Sequence, residues 1–422
     1  MNYISTRNKQ KPLSFSEAMK TGLAEDGGLF VPEEFPLTYH ENLQTDVASF
    51  ATEILKPYFK GDLLESELER ICARAFNFPI PIKPLSETVD VLELFHGPTL
   101  AFKDVGARFL AECFSHQKSE HTILVATSGD TGSAVASAFY KKNNVRVVVL
   151  FPKNKISERQ EKQIVCWGEN ILPLAVSGVF DDCQKLVKLA FADSWWKEHS
   201  TLSTANSINI GRLLPQMVYY AYTSFIRYKT VNKETNFIVP SGNVGNVTAC
   251  FWAKKMGFPI GKVRISTNAN QTLSDYLKTE TYLPKPSIET LANAMDVGNP
   301  SNIERLNHLF GDIKELKRHL TVQSVADRDI QETIKEVYQL YQYEICPHTA
   351  TAFHIKQKDT HEVIVSTADP CKFEDVVEPL IDKKVEIKPQ LLHMLETTRK
   401  AHTIDASMES LISEYSGYFG LK

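Results

Sequence analysis

The chain has 422 residues, 43% of them apolar and 23% charged, with a formal net charge of −4. This is ordinary globular composition, with length for two or three domains and a sizeable core. There is no basic tract for a nucleic-acid or anionic-membrane partner, and no apolar run near the roughly 18 residues of a membrane span.

The opening residues, "MNYISTRNKQKPLSF", lack the apolar centre of a signal peptide. Up to about residue 85 the chain is rich in Glu, Leu and Pro. It is expected to be mostly helical after "DGGLFVPEEFP" (26–36) and to end in a proline linker, "FPIPIKP" (78–84). A different rhythm then begins. Strands are predicted at "VLELF" (91–95), "TILVAT" (122–127), "VRVVVLF" (145–151), "NFIVP" (236–240) and "HEVIVST" (361–367). Helices are predicted at 131–142, 246–257 and 327–342. Strand, short loop and helix in repetition predict an α/β fold with largely parallel sheets. The segment 283–306 breaks the rhythm with turn residues and reads as a functional loop region. After about 375 comes a charged, helix-prone tail without readable chemistry. Seven widely spaced cysteines, with no C-x-x-C and no Cys/His pair at zinc spacing, argue against a disulfide framework or a structural metal. They fit a reducing, cytoplasmic setting.

Two glycine loops and one lysine carry the chemistry. In 236–255 a strand leads through Ser241-Gly242-Asn243-Val244-Gly245-Asn246 into a helix. Glycines allow close backbone approach, and a helix N-terminus offers free N–H groups and the positive end of a dipole, which suits a phosphate. The loop matches neither G-K-[ST] nor G-x-G-x-x-G, and a plain tight turn is the other reading. In 122–139 the device recurs with hydroxyls, Thr127-Ser128-Gly129-Asp130-Thr131-Gly132, which suits a carboxylate. The alternative there is a helix cap made by Ser128, Asp130 or Thr131. Both loops fall at carboxyl ends of predicted strands, where open α/β sheets gather ligands. Lys103 follows the apolar run Leu100-Ala101-Phe102. It either snorkels to solvent or serves as a desolvated amine. A phosphate cradle, an anion cradle and an amine together point to pyridoxal 5'-phosphate, whose ring is an electron sink and whose partner is a lysine.

Nine stretches, spread from about residue 3 to 373, resemble the threonine synthase family of fold type II pyridoxal-phosphate enzymes. They are "YISTR", "GLAEDGGLFVPEEFP", "HGPTLAFKD", "ATSGDTGSA", "PSGNVGN", "NSINIGRLLPQ", "MDVGNPSNIER" and, near the end, "CPHTATA" with "STADPCKF". The resemblance implies two open, mostly parallel sheets flanked by helices and a helical N-terminal region over 1–85. It implies a large cofactor-binding unit from 86–109 and 206–422, and a smaller mobile α/β unit over 110–205. It further implies conversion of O-phospho-L-homoserine and water to L-threonine and phosphate. A relative that releases phosphate, ammonia and a 2-oxo acid would use the same loops.

Carried over by residue, Lys103 forms the Schiff base with the cofactor and moves protons among the substrate carbons. Gly242, Asn243, Val244, Gly245 and Asn246 would hold the cofactor phosphate. Ser128, Gly129 and Thr131 would meet the substrate carboxylate, and Asp130 the cofactor ring oxygen. Asn206, Ser207 and Arg212 would bind the substrate phosphate, the arginine by its planar fork. Thr367 would partner the pyridine nitrogen, and Phe102 with the His96-Gly97-Pro98 turn would shape the pocket. Asp369 and Cys371 depart from the family's T-A-H-P-A-K-F. His96 and His348 each have two readings, a packing or turn role, which is the favoured one, and direct action at the site. The sequence leaves a monomer and a homodimer equally open.

Overall fold

The computed structural model describes residues 1–421. Among the described residues, thirteen strands form three sheets. A short antiparallel pair joins β1 (Tyr3–Ser5) to β2 (Phe30–Pro32). The larger sheet contains β3 (Ile82–Ser86), β4 (Val89–Glu93), β9 (Thr235–Pro240), β10 (Ile260–Thr267), β11 (Leu320–Ser324) and β12 (Glu362–Ser366). Its order is β11-β10-β9-β12-β4-β3, parallel except for β3. The smaller sheet, all parallel, has the order β13-β7-β6-β5-β8. Its members are β5 (His121–Ala126), β6 (Val145–Pro152), β7 (Ile171–Ser177), β8 (Leu202–Thr204) and β13 (His402–Asp405).

The β-branched runs form these strands because both faces are covered: every residue of β4, β5 and β12 is buried. Helices Asp130–Phe139, Gly245–Lys255 and Asp327–Tyr341 follow the predicted spans closely. Parallel pairing within each sheet puts the carboxyl ends of its strands on one edge. The loops after β4, β9 and β12 therefore share one edge, and those after β5 and β8 share another.

Three expectations need correction. The proline segment is only partly a linker, because Ile82–Ser86 pairs antiparallel with β4 as an edge strand, where the missing N–H of Pro84 is tolerated. The N-terminal region holds the β1–β2 pair as well as helices Phe15–Thr21, Val47–Leu55 and Leu68–Ala75. The tail does not stay with the larger sheet. β13 pairs with β7, and Ile404, Leu411 and Tyr415 pack beneath Leu124, Val148 and Leu172. The Tyr415 hydroxyl lies 2.6 Å from Thr122 Oγ1, which fixes the last helix to β5. No helix among the described residues is long and apolar enough to cross a membrane.

Candidate active site

One cavity gathers nearly all the residues named from sequence. Phe102, Lys103, Ser128, Asp130, Thr131, Asn206, Ser207, Arg212, Thr367 and the Gly242–Asn246 loop line it. Gly129 does not. Its backbone, at φ 136°, turns behind the loop, and a Cβ there would lie 2.4 Å from Gln160 Nε2. Phe180, Gln184, Gln216, Met295 and Val297 also line the cavity and were not foreseen individually. The last two come from the loop region expected to be functional.

Lys103 opens the helix Lys103–Ser115. The preceding turn is pinned by Asp104, which accepts from the Thr99 N–H at 2.9 Å and the Thr99 hydroxyl at 2.6 Å. Leu100 takes the left-handed region at φ 59°, an uncommon conformation for a branched side chain. The surface that Lys103 retains faces the cavity it lines, so its amine is enclosed by protein rather than by bulk water. Burial lowers its pKa to about 8, opposed by Asp130 and reinforced by Lys372 and Arg212. The positive end of the helix dipole acts in the same direction as burial. This is a desolvated amine, not a snorkelling side chain.

The two glycine loops resolve in opposite ways. The helix Gly245–Lys255 has no side-chain cap, and Val244 before it sits at φ 50°. Its first N–H groups are thus left to a ligand. Gly242 packs so tightly under Met295 that a Cβ would meet the Met295 Cα at 2.6 Å. At the other loop, Thr127 does the turn's internal bonding: its hydroxyl oxygen accepts from Gly129 N–H at 3.0 Å and Gly132 N–H at 2.9 Å. The residue at the N-cap itself, Gly129, has no side chain to cap that helix. Ser128 and Thr131 remain half-buried on the cavity wall, and the expected capping role falls to a neighbour.

Several polar groups have their orientation fixed by the protein. The Asn246 Oδ1 accepts from the Tyr220 hydroxyl at 2.8 Å and from the Tyr219 hydroxyl, which turns its buried Nδ2 into a donor without a protein partner. Ser207 Oγ accepts from Asn243 Nδ2 at 2.6 Å and Asn302 Nδ2 at 3.2 Å, leaving its proton to donate elsewhere. Arg212 Nη1 donates to the Ala205 carbonyl, while its buried Nε has no partner. His348 Nε2 accepts from Ala294 N–H at 3.0 Å, which fixes the Nδ1–H tautomer, and Nδ1 is also buried without a partner. Burial lowers the His348 pKa to about 4, so the ring is a neutral donor. Asn206 is largely consumed by structure: its Nδ2 donates to the Ala126 carbonyl at 2.7 Å and ties the 205–209 loop to the end of β5.

Four fixed donors, an uncapped helix and a desolvated lysine make a cavity built for an acceptor-rich, anionic partner that bonds an amine. These features fit pyridoxal phosphate. The comparisons agree. The chain matches the pyridoxal-phosphate dependent enzyme family over residues 82–363 and the threonine synthase N terminus family over residues 2–76. The chain belongs to the threonine synthase family. The threonine synthase of Buchnera aphidicola subsp. Acyrthosiphon pisum is 39% identical over 97% of this chain and 98% of that protein. The crystal structure of threonine synthase from Escherichia coli superposes with a TM-score of 0.91 at 36% identity, covering 99% of this chain and 100% of that one. A threonine synthase from Brucella melitensis, solved with pyridoxal phosphate bound, gives 0.89 at 30% identity and covers 98% of each chain. The fold is that of the fold type II pyridoxal-phosphate enzymes.

The departures from the family's pattern lie off the cavity. Asp369 caps the turn Pro370–Lys372, its Oδ1 accepting from Cys371 N–H at 2.8 Å, and it faces a separate outer cleft that His96 also lines. His96 is held there by Glu93, 2.7 Å away. Lys372, the lysine of "STADPCKF" to which no role was given, is fully buried and pairs with Asp130.

Proposed function

We propose that the site converts O-phospho-L-homoserine and water to L-threonine and phosphate. The observation that carries this reading is two adjoining sets of free donors around one lysine, joined where Asn243 bonds Ser207. The uncapped helix at Gly245 takes the cofactor phosphate, assisted by Asn246 Nδ2. Ser207 and Arg212, with the remaining Asn206 proton, take a second phosphate on the substrate. A substrate without a phosphate would leave the second set unpaired at a cost of ~1–3 kcal/mol per buried donor.

Bound beside Lys103 and Thr367, pyridoxal phosphate supplies the electron sink for charge that develops on the substrate carbons. The chain's own groups do the rest. Ser128 and Thr131, with the free N–H groups of the helix Asp130–Phe139, orient the substrate carboxylate. Lys103, once its amine is released, takes and returns protons along the carbon chain, and a pKa of about 8 suits both directions near neutrality. Thr367 offers a hydroxyl, not a carboxylate, to the ring nitrogen. Ala294, Met295 and Val297 roof the cavity and limit water to the step that needs it. All seven cysteines are unpaired, which supports a cytoplasmic setting.

The purified, cofactor-loaded enzyme is given O-phospho-L-homoserine, and phosphate, threonine and 2-oxobutanoate are measured together. Equal phosphate and threonine, abolished in Lys103→Ala, is the expected result. Phosphate accompanied by 2-oxobutanoate in place of threonine would refute it.

A further inference from the structure

Lys103 is not the only lysine at the site. Lys372, presented by the turn after β12, is 0% exposed, and its ammonium lies 2.7 Å from Asp130 Oδ1, on a residue 3% exposed. The same ammonium donates to the Thr99 carbonyl at 2.8 Å. Gln160 Nε2 donates to the same carboxylate oxygen at 3.1 Å. A carboxylate this deep persists only when paired and hydrogen-bonded, and here both conditions are met without Lys103. The Asp369 cap described above holds the turn that delivers Lys372.

We propose that Lys372 is a positioning residue for Lys103: by occupying the Asp130 carboxylate it denies Lys103 a counter-ion and keeps that amine free to bond a carbonyl carbon. The inference rests on Lys103 being the lysine that bonds the cofactor. An unprotonated amine adds its lone pair to the aldehyde carbon, and the aldehyde oxygen leaves as water. An ammonium has no lone pair for that bond.

Among the described residues, the groups that act on Lys103 include no other counter-charge. Of the groups that act on it, Arg212 and Lys372 are cationic and oppose its protonation. Cys346 is buried and its thiol pKa is pushed up, which keeps it neutral. His348 is neutral for the same reason of burial. Asp104, next in the helix, spends both oxygens on Thr99, and burial raises its pKa. Asp130 alone could neutralise Lys103. Burial disfavours its charge, yet Lys372 and then Lys103 outweigh burial and hold the carboxyl below its usual range.

The test follows, as a function of pH, the rate at which the full-length apoprotein takes up pyridoxal phosphate. Borohydride fixation and peptide mass spectrometry identify the bonded lysine. Lys372→Met leaves Asp130 to Lys103, and the midpoint of the uptake profile moves to alkaline pH by ~1–3 units. Asp130→Asn keeps the Lys372 charge and removes the carboxylate, so the midpoint moves the other way. The double variant removes both charges and returns towards the wild type. A merely structural role does not produce shifts of opposite sign that cancel. Should Lys372→Met fail to fold, Asp130→Asn and the double variant still decide. Coincident midpoints in the folded variants overturn the inference while leaving fixation at Lys103 intact. Fixation elsewhere than Lys103 in the wild type overturns the reading beneath it.

Discussion

Arg305 lies in "NPSNIER", far from either glycine loop in sequence, and is fully buried. Its guanidinium donates from Nε to the Phe30 carbonyl at 3.0 Å and from Nη2 to the Ile208 carbonyl at 2.6 Å. From Nη1 it donates to the Ser207 carbonyl at 3.0 Å and to Asn302 Oδ1 at 2.7 Å. Asn302 in turn bonds Ser207 Oγ and the Asn243 carbonyl. Arg305 is thus the post to which the Ser207 loop, the Asn243 loop and β2 are fastened. Arg305→Met strips the donor from the buried Phe30 carbonyl and the part-buried carbonyls of Ser207 and Ile208, costing ~1–3 kcal/mol for each that water does not reach. Relief from burying a charge offsets part of this, and ~3–5 kcal/mol is the expected net loss. Freeing Ser207 should weaken the hold on the substrate phosphate by about tenfold, the equivalent of one hydrogen bond. KM then rises more than kcat falls. Urea unfolding followed by tryptophan fluorescence, with steady-state kinetics alongside, measures both effects. Arg305→Lys keeps the charge but not the fork and should fall between. A stability loss under about 1 kcal/mol with unchanged KM would refute the reasoning.

Two other perturbations follow from particular contacts. Gly242→Ala sets a methyl 2.6 Å from the Met295 Cα, a backbone atom that cannot swing aside. It should cost ~1–3 kcal/mol and weaken pyridoxal phosphate binding, read by equilibrium dialysis. Unchanged cofactor affinity would show that the loop and its roof are not in register with the phosphate. Asp296 holds the roof by accepting from Thr290 Oγ1 and Asn268 Nδ2, both at 2.7 Å. Burial raises its pKa from 3.8 to about 7, so the folded chain keeps a proton that the unfolded chain has lost. Between those values stability falls as pH rises, by up to ~4 kcal/mol relative to Asp296→Asn. Parallel stability–pH curves for the two proteins would contradict this.

What the sequence made legible was local chemistry. Glycines, hydroxyls and a helix start follow one another within each anion loop, so both could be placed at strand ends without knowing the sheet order. Lys103 was legible because an ammonium beside Leu100, Ala101 and Phe102 is anomalous unless it is used. Pairings set by tertiary distance were not. Lys372 meets Asp130 only because β12 and β5 bring their carboxyl ends to the same cavity, and Arg305 reads as one more charged helix residue until Ser207 and Phe30 are folded around it. The assignment of the Asp130 helix cap failed on a smaller scale, since Thr127, one residue before the hydroxyls considered, satisfies the turn. β13 was invisible for a different reason. "HTID" has one buried apolar residue, Ile404, and becomes a strand by extending an existing parallel edge.

The division of labour among the buried charges would let the proposed site hold two phosphates and still keep a reactive amine. Asp130 is consumed by Lys372, and Asp104 by Thr99. Arg212 has a single carbonyl acceptor, at Ala205, and an unpaired Nε. The charge left uncompensated in the cavity is therefore positive, and the free hydrogen-bonding groups are donors. Anions entering such a space meet oriented partners and displace no internal ion pair, which is the condition under which buried electrostatic contacts are strong without reorganisation. Were the carboxylates free instead, they would compete with the incoming phosphates for Arg212 and fix Lys103 as an ammonium. Occupying the two aspartates, one by Lys372 and one by Thr99, is thus as much a part of the proposed anion recognition as the free donors themselves.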